Sequence, residues 1–189
     1  GGMFVSGKRY ALSHGSTARD ISIYGQERNP NTWKLAAMNL AIRGLDFNLG
    51  ESHGDTFSAD KHPNLKADYI FMNPPFGAQS EWPRDSLMND PRWVYGIPPA
   101  KPAHFAWLQH AVHHLSNKGQ CGIVMPNGTL TTTSGGEDAI RQKMVEVDLT
   151  EGWLGDAARV SAERQAGLGL AVVRDAAYLA WRYTATPHK

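Results

Sequence analysis

In ADYIFMNPPFG (Ala67–Gly77), a run that reads as a buried strand stops at an asparagine and two prolines. The uninterrupted apolar character of DYIFM, Asp68 to Met72, suits a strand covered on both faces. Working outward, DISIYG (Asp20–Gly25) is a short strand with Ile21 and Ile23 on one face, and NTWKLAAMNLAIRG (Asn31–Gly44) follows it as a helix. Asn31 or Thr32 is placed to cap that helix, Gly44 to end it, and Leu35, Met38 and Ile42 form its apolar stripe. DFNLGES gives a second short strand. Beyond the prolines, a loop rich in Pro, Trp and Asp runs from Gly77 to about Pro102. HFAWLQHAVHHLSNKG then reads as a helix, with Phe105, Leu108, Val112 and Leu115 at core spacing and Gly119 as its stop, and CGIVMP as a strand. Strands alternating with helices predict an α/β fold built on a doubly wound, mostly parallel sheet.

In such sheets ligands sit at the carboxyl ends of strands. Glu27, Asp55 and Asn73 each follow one of the first three strands. Taken alone, Glu27 also reads as a solvated loop acid, and Asp55 as a turn residue in HGDT. NPPF, Asn73-Pro74-Pro75-Phe76, is harder to read as a mere turn, because an Asn before proline is pushed towards extended geometry and its side chain is held at the strand tip. Such a tip suits methyl transfer to an exocyclic amine. The lone pair of adenine N6 is delocalised into the ring, so acceptors aimed at its two hydrogens must turn it towards a methyl donor. The amide oxygen of Asn73 and the carbonyl of Pro74 would be those acceptors, with Pro75 stiffening the turn and Phe76 stacking on a base flipped out of its duplex.

Composition bounds the rest. The 189 residues, 41% hydrophobic and 20% charged, suffice for one substantial core and predict a soluble globular unit. A net charge of +1 lacks the basic excess of a protein that grips nucleic acid through its own surface, so most phosphate contacts would come from elsewhere. The single cysteine excludes an intrachain disulfide, and without an apolar run long enough to span a membrane or a signal-peptide pattern, a reducing cytoplasm is the simplest setting. His110, His113 and His114 share one helix face at a spacing that can hold zinc, yet no fourth ligand is evident, and no metal is expected. Cys121, in an apolar strand, reads as an inert buried thiol. Trp82, Arg84, Arg92, Trp93 and Tyr95 suit either a DNA-contacting loop or a packed aromatic one. Lys8, Arg9 and Arg19 around His14 read as a solvated surface.

GGMFV, DISIYGQERNPNTWKLAAMNLAIRG, GDTF, ADYIFMNPPFG, NDPRWVYGIPPAKPAHFAWLQHAVHHLSNKGQCGIVMPNGTL and GGEDAIRQKMVEVDL, in this order over residues 1 to about 150, resemble the modification (M) subunit of type I restriction-modification enzymes, the N6-adenine DNA methyltransferases. The resemblance implies S-adenosylmethionine as cofactor and double-stranded DNA with a flipped adenine as substrate. It also implies a specificity subunit and a restriction subunit as partners. Glu27 would bind the cofactor ribose, Asp55 the amine of the cofactor's adenine, Asn73 to Phe76 the target base, and Gly1 and Gly2 would be the last glycines of the cofactor motif Asp-Pro-x-x-Gly-x-Gly-Gly. On this pattern residues 1–150 form a catalytic core that lacks the first strand and helical amino-terminal domain of the family, and 151–189, rich in Ala, Arg and Gly, a divergent or frame-shifted segment. In that segment LGLAVV and AAYLAW retain the patterning of strands. The alternatives are a non-catalytic remnant that at most binds partner subunits, and an amino-methyltransferase acting on RNA or protein glutamine.

Overall fold

A computed structural model of the protein describes residues 1–17, 21–75, 82–150 and 169–172. The chain divides into two compact units, Gly1–Leu65 and Lys66–Lys189.

The first unit holds α1 (Gly2–Ser13), β1 (Ile23–Tyr24), α2 (Pro30–Ile42) and β2 (Phe47–Asn48). β1 and β2 pair in parallel, Ile23 opposite Phe47 and Tyr24 opposite Asn48, so β1–α2–β2 is a parallel crossover. α2 is capped two or three residues earlier than its apolar pattern suggests. Asn29 is the cap, its Oδ1 accepting from Asn31 N (2.9 Å) and Thr32 N (3.1 Å), with Pro30 at the first helical position, where a missing N–H costs nothing. At the far end Gly44 N donates to Ala41 O and Leu45 N to Leu40 O, the paired bonds of a Schellman end, with Gly44 at φ +60. The stripe Leu35, Met38 and Ile42 is exposed (64, 57 and 78%), whereas Leu40 is fully buried and Trp33 half-buried. The reason is compositional: in WKLAAMNLAI two apolar stripes share helical spacing, and periodicity cannot choose between them. Long-range contacts do, since Trp33 Nε1 donates to Leu49 O (3.0 Å) and Gly1 packs against the backbone of Ala36. Of the expected solvated basic cluster, Arg9 is exposed but Lys8 is buried, and Arg19 lies outside the described residues.

The second unit is built on β3 (Ala67–Met72), α3 (His104–His114), β4 (Leu115–Ile123), α4 (Glu137–Thr150) and β5 (Gly169–Val172). Its three strands are all parallel, in the order β3-β4-β5. The strand anticipated within LGLAVV is therefore present as β5, while AAYLAW lies outside the described residues. The core joins Phe105, Leu108 and Ala111 of α3 to Leu115, Cys121 and Ile123 of β4 and Ile140 of α4, with Ile70 and Met72 packed against it. β3 is not covered on both faces: Tyr69 and Phe71 are 67 and 58% exposed.

α3 stops at His114 rather than at Gly119. Leu115 is already extended (φ −74, ψ 142), and the register jumps from Ala67–Leu115 to Tyr69–Gln120, a bulge that absorbs Ser116 to Gly119. Two contacts from the neighbouring strand hold this end. The Lys66 ammonium donates to the His113 carbonyl, a cation on the negative end of the helix, and Ser116 Oγ donates to Asp68 Oδ1 at 3.0 Å. Gly119 serves a close approach, since a Cβ there would lie 2.7 Å from Ala67 O. No helix among the described residues is long and apolar enough to cross a membrane.

Candidate active site

The residues expected at the cofactor lie in the first unit, and the structure knits the loops that carry them. Glu27 follows β1; its Oε1 accepts from Asn29 N (2.8 Å) and its carbonyl from Gly54 N (2.9 Å). Asp55 follows β2; its Oδ1 accepts from Phe57 N (3.0 Å), Ser58 N and Ser58 Oγ (both 3.1 Å), and its Oδ2 stands 3.7 Å from Arg28 Nη1. His53 Nδ1 lies 3.2 Å from Arg28 O. Residues 27–28 and 53–55 are thus joined by three contacts, which brings the two acids' loops side by side. Asp55 also has the turn role that its HGDT context allows, with one oxygen committed to the turn. Gly1 precedes the first turn of α1, and Gly2 begins it. Phe4, in that same turn, packs on Gly25 at the tip of β1, where a Cβ would come within 2.6 Å of the ring. The amino end of α1, rich in unpaired N–H groups, therefore stands at the same strand tip as Glu27.

Sequence reasoning passed over Gln26 and His62. Gln26 Nε2 donates to Gly54 O (3.0 Å) and Ala59 O (2.9 Å), and its Oε1 accepts from Lys61 N (2.9 Å). His62 Nε2 lies 2.9 Å from Gly25 O, its ring edge-on to Tyr24. A polar residue directly before Glu27 in YGQERN was the available signal.

In the second unit β3 ends at Met72, and Val124 N donates to Met72 O (3.0 Å), so the ladder reaches the tip. Asn73 follows half-buried, Pro74 buried and Pro75 exposed; Phe76 lies outside the described residues. The loop from Trp82 to Ala103, which connects β3 to α3, is packed. Trp82 and Trp93 are buried and meet edge to face at 4.8 Å, their Nε1 groups donating to Pro99 O (2.8 Å) and Leu87 O (2.7 Å). Asp90 accepts from one guanidinium edge of Arg92, Nε and Nη2, at 2.7 Å each, and these hydrogen bonds hold its carboxyl below the usual carboxylate range. Arg92 Nη1 reaches His110 Nδ1 at 3.2 Å. Gln109 clamps the loop to α3, accepting from Tyr95 N (3.1 Å) and donating to Gly96 O (2.8 Å). The packed reading of the aromatic loop therefore holds for Trp82, Arg92 and Trp93. Burial pushes the Cys121 thiol up to about 12, an inert thiol as expected. Burial also lowers His104 and raises Glu137 at the starts of α3 and α4.

Parallel strands are followed by two loop acids in the first unit, and in the second a parallel strand ends at an Asn-Pro-Pro tip. The chain belongs to the N-6 DNA methylase family, whose model matches residues 1–160. It is 45% identical, over 151 residues, to the type I restriction enzyme HindI methylase subunit of Haemophilus influenzae, covering 80% of this chain and 34% of that protein. It is 36% identical over 160 residues to the MjaIX methylase subunit of Methanocaldococcus jannaschii, covering 80% of this chain and 28% of that subunit. The MjaVII methylase subunit of the same organism is 33% identical over 160 residues. The chain thus spans between 27 and 34% of the length of these relatives.

Proposed function

We propose that the chain is the catalytic core of an S-adenosylmethionine-dependent methyltransferase acting on adenine N6 in DNA, within a type I restriction-modification assembly. The observation that carries this reading is the family match over residues 1–160, within which Asn73-Pro74-Pro75 stands at the end of parallel strand β3. The finer fold reading goes with it, a doubly wound, mostly parallel sheet of the methyltransferase type, with residues 1–150 as the catalytic core.

The donor set fits the cofactor. Glu27 has one carboxylate oxygen on Asn29 N, and no described residue donates to the other, which suits a ribose hydroxyl. Asp55 Oδ2, beside an 80% exposed Arg28, suits the adenine amine. The backbone N–H groups at the start of α1, next to Gly1 and Gly2, suit the carboxylate of the methionine end. When bound, S-adenosylmethionine supplies an electrophilic methyl group that passes to N6 while its sulfur leaves as a neutral thioether. The chain's own residues act on the amine. Asn73 Oδ1 and Pro74 O accept its two hydrogens, which aims the lone pair at the methyl carbon and stabilises the positive charge that grows on nitrogen. Phe76 stacks on the extruded base. The surplus proton then leaves to water, so no strong base is required.

A net charge of +1 agrees with sequence recognition residing in a separate specificity subunit, and the restriction subunit completes the assembly. The test is transfer of label from methyl-tritiated S-adenosylmethionine to unmethylated DNA by the chain together with its specificity subunit. N6-methyladenine in the digest supports the reading. Label on cytosine, on RNA or on protein, or none at all, refutes it.

A further inference from the structure

Asp55's turn is closed internally, by Phe57 N, Ser58 N and Ser58 Oγ, and those bonds orient its carboxylate within the loop. They do not determine where that loop stands relative to Glu27. Gln26, one residue before Glu27 and half-buried, does much of this with a single carboxamide. Its Nε2 holds Gly54 O and Ala59 O, on either side of Asp55, and its Oε1 holds Lys61 N. The amide orientation is dictated by chemistry: two carbonyls require the NH2 and one backbone N–H requires the oxygen. Three of the side chain's four hydrogen-bonding positions are thereby used on backbone between 28 and 35 residues away. The Glu27 carbonyl adds a fourth bond from the same strand tip, to Gly54 N.

We infer that Gln26 is a positioning residue for the cofactor, fixing the spacing between the ribose-binding Glu27 and the adenine-binding Asp55. The inference rests on the proposed reading of this pocket as the S-adenosylmethionine site. A ligand that must reach both acids binds without reorganisation only if their separation is set beforehand. Otherwise the loop of residues 54–61 is ordered at the expense of affinity. Because Gln26 serves the adenosine end, its loss weakens S-adenosylmethionine and its demethylated product, S-adenosylhomocysteine, equally.

The experiment is calorimetric titration of the full chain with each of these two ligands. It compares the parent with Gln26→Ala, Gln26→Glu, Glu27→Ala, Asp55→Ala and the Gln26→Ala/Asp55→Ala double variant, with thermal melts recorded without ligand. Gln26→Glu is nearly isosteric but sets an acceptor against two carbonyls, so a mere space-filling role tolerates it and a positioning role does not. Expected is a loss of tenfold or more for both Gln26 variants, the same for the two ligands, from proteins still folded at the titration temperature. The double variant should bind no more weakly than Asp55→Ala alone, because Gln26 acts through that loop. If either Gln26 substitution unfolds the chain, the other carries the comparison. Parental affinity in a folded Gln26 variant, or losses that simply add in the double variant, overturns the inference while Glu27→Ala still upholds the pocket. No binding by the parent, or none lost in Glu27→Ala, overturns the pocket reading and this inference with it.

Discussion

Asn73 is where the proposed chemistry concentrates, because its amide and the Pro74 carbonyl are the two acceptors offered to the target amine. Replacing it by alanine removes one of those acceptors. Turnover in the assembled enzyme should fall by about a hundredfold or more, the scale of losing one preorganised polar contact in a transition state. Cofactor affinity should stay within about twofold, since ground-state and transition-state contacts separate in this way. Single-turnover kinetics beside an equilibrium titration checks both at once, and equal losses in the two would make Asn73 a structural residue. Its place was legible from the sequence because proline acts locally: the residue before it is steered by the ring next door. Gln26 was not legible, since its meaning lies in Gly54, Ala59 and Lys61, partners that no local pattern announces.

Elements show the same division. α2 was found at once, yet its cap was misassigned and its apolar stripe misphased. Asn29 lies outside the apolar run, and the buried face was chosen by Leu40 and by the bond from Trp33 to Leu49 O. Asn29→Ala should cost about 1 kcal/mol in denaturant unfolding, from loss of the two bonds at Asn31 N and Thr32 N, whereas Asn31→Ala and Thr32→Ala should each stay within about 0.5 kcal/mol. A larger loss at Asn31 than at Asn29 would restore the sequence-based cap. The end of α3 was misread for a related reason. Helical periodicity continues through Leu115, but Lys66 and Asp68 reach across from the strand before it and terminate the helix. The existence of the strands needed no such help, because short apolar runs bounded by turn residues carry their own punctuation. Their bounds did: β4 begins at Leu115 rather than Cys121, and β1 keeps only Ile23 and Tyr24. Burial did too, for Tyr69 and Phe71 look identical to core residues in a one-dimensional reading.

For the molecule as a whole, acidity offers a test of the packed loop between β3 and α3. Arg92 holds the Asp90 carboxyl below its usual value of 3.8, so the folded state binds its proton later than the unfolded state does. The stabilisation is therefore fully present above about pH 4 and is lost as pH falls through the lowered folded value. Asp90→Ala leaves the 5% exposed Arg92 guanidinium without its bidentate partner and should cost about 3 to 5 kcal/mol at pH 7. Measured by denaturant titration, the gap between parent and variant should narrow towards pH 3. A gap that stays constant with pH would mean that the carboxylate's charge contributes nothing. Glu137 works in the opposite sense. Its raised value means that the unfolded state ionises first, so its contribution declines as pH rises from about 4.5 towards the folded value.

Cys121 gives the second unit a clock. It is the chain's one thiol, 1% exposed on β4 between β3 and β5, and almost never a thiolate while the sheet is closed. A maleimide can therefore capture it only in molecules whose sheet has momentarily come apart, and the labelling rate reports the fraction of molecules in that open state. Added at neutral pH, reagent should modify the native protein at least about a hundredfold more slowly than the protein in denaturant. With reclosing faster than capture, the rate should rise in proportion to reagent concentration, and a mass spectrum taken over time reads it directly. Modification at the denatured rate under native conditions would mean that the sheet around Cys121 does not stay shut.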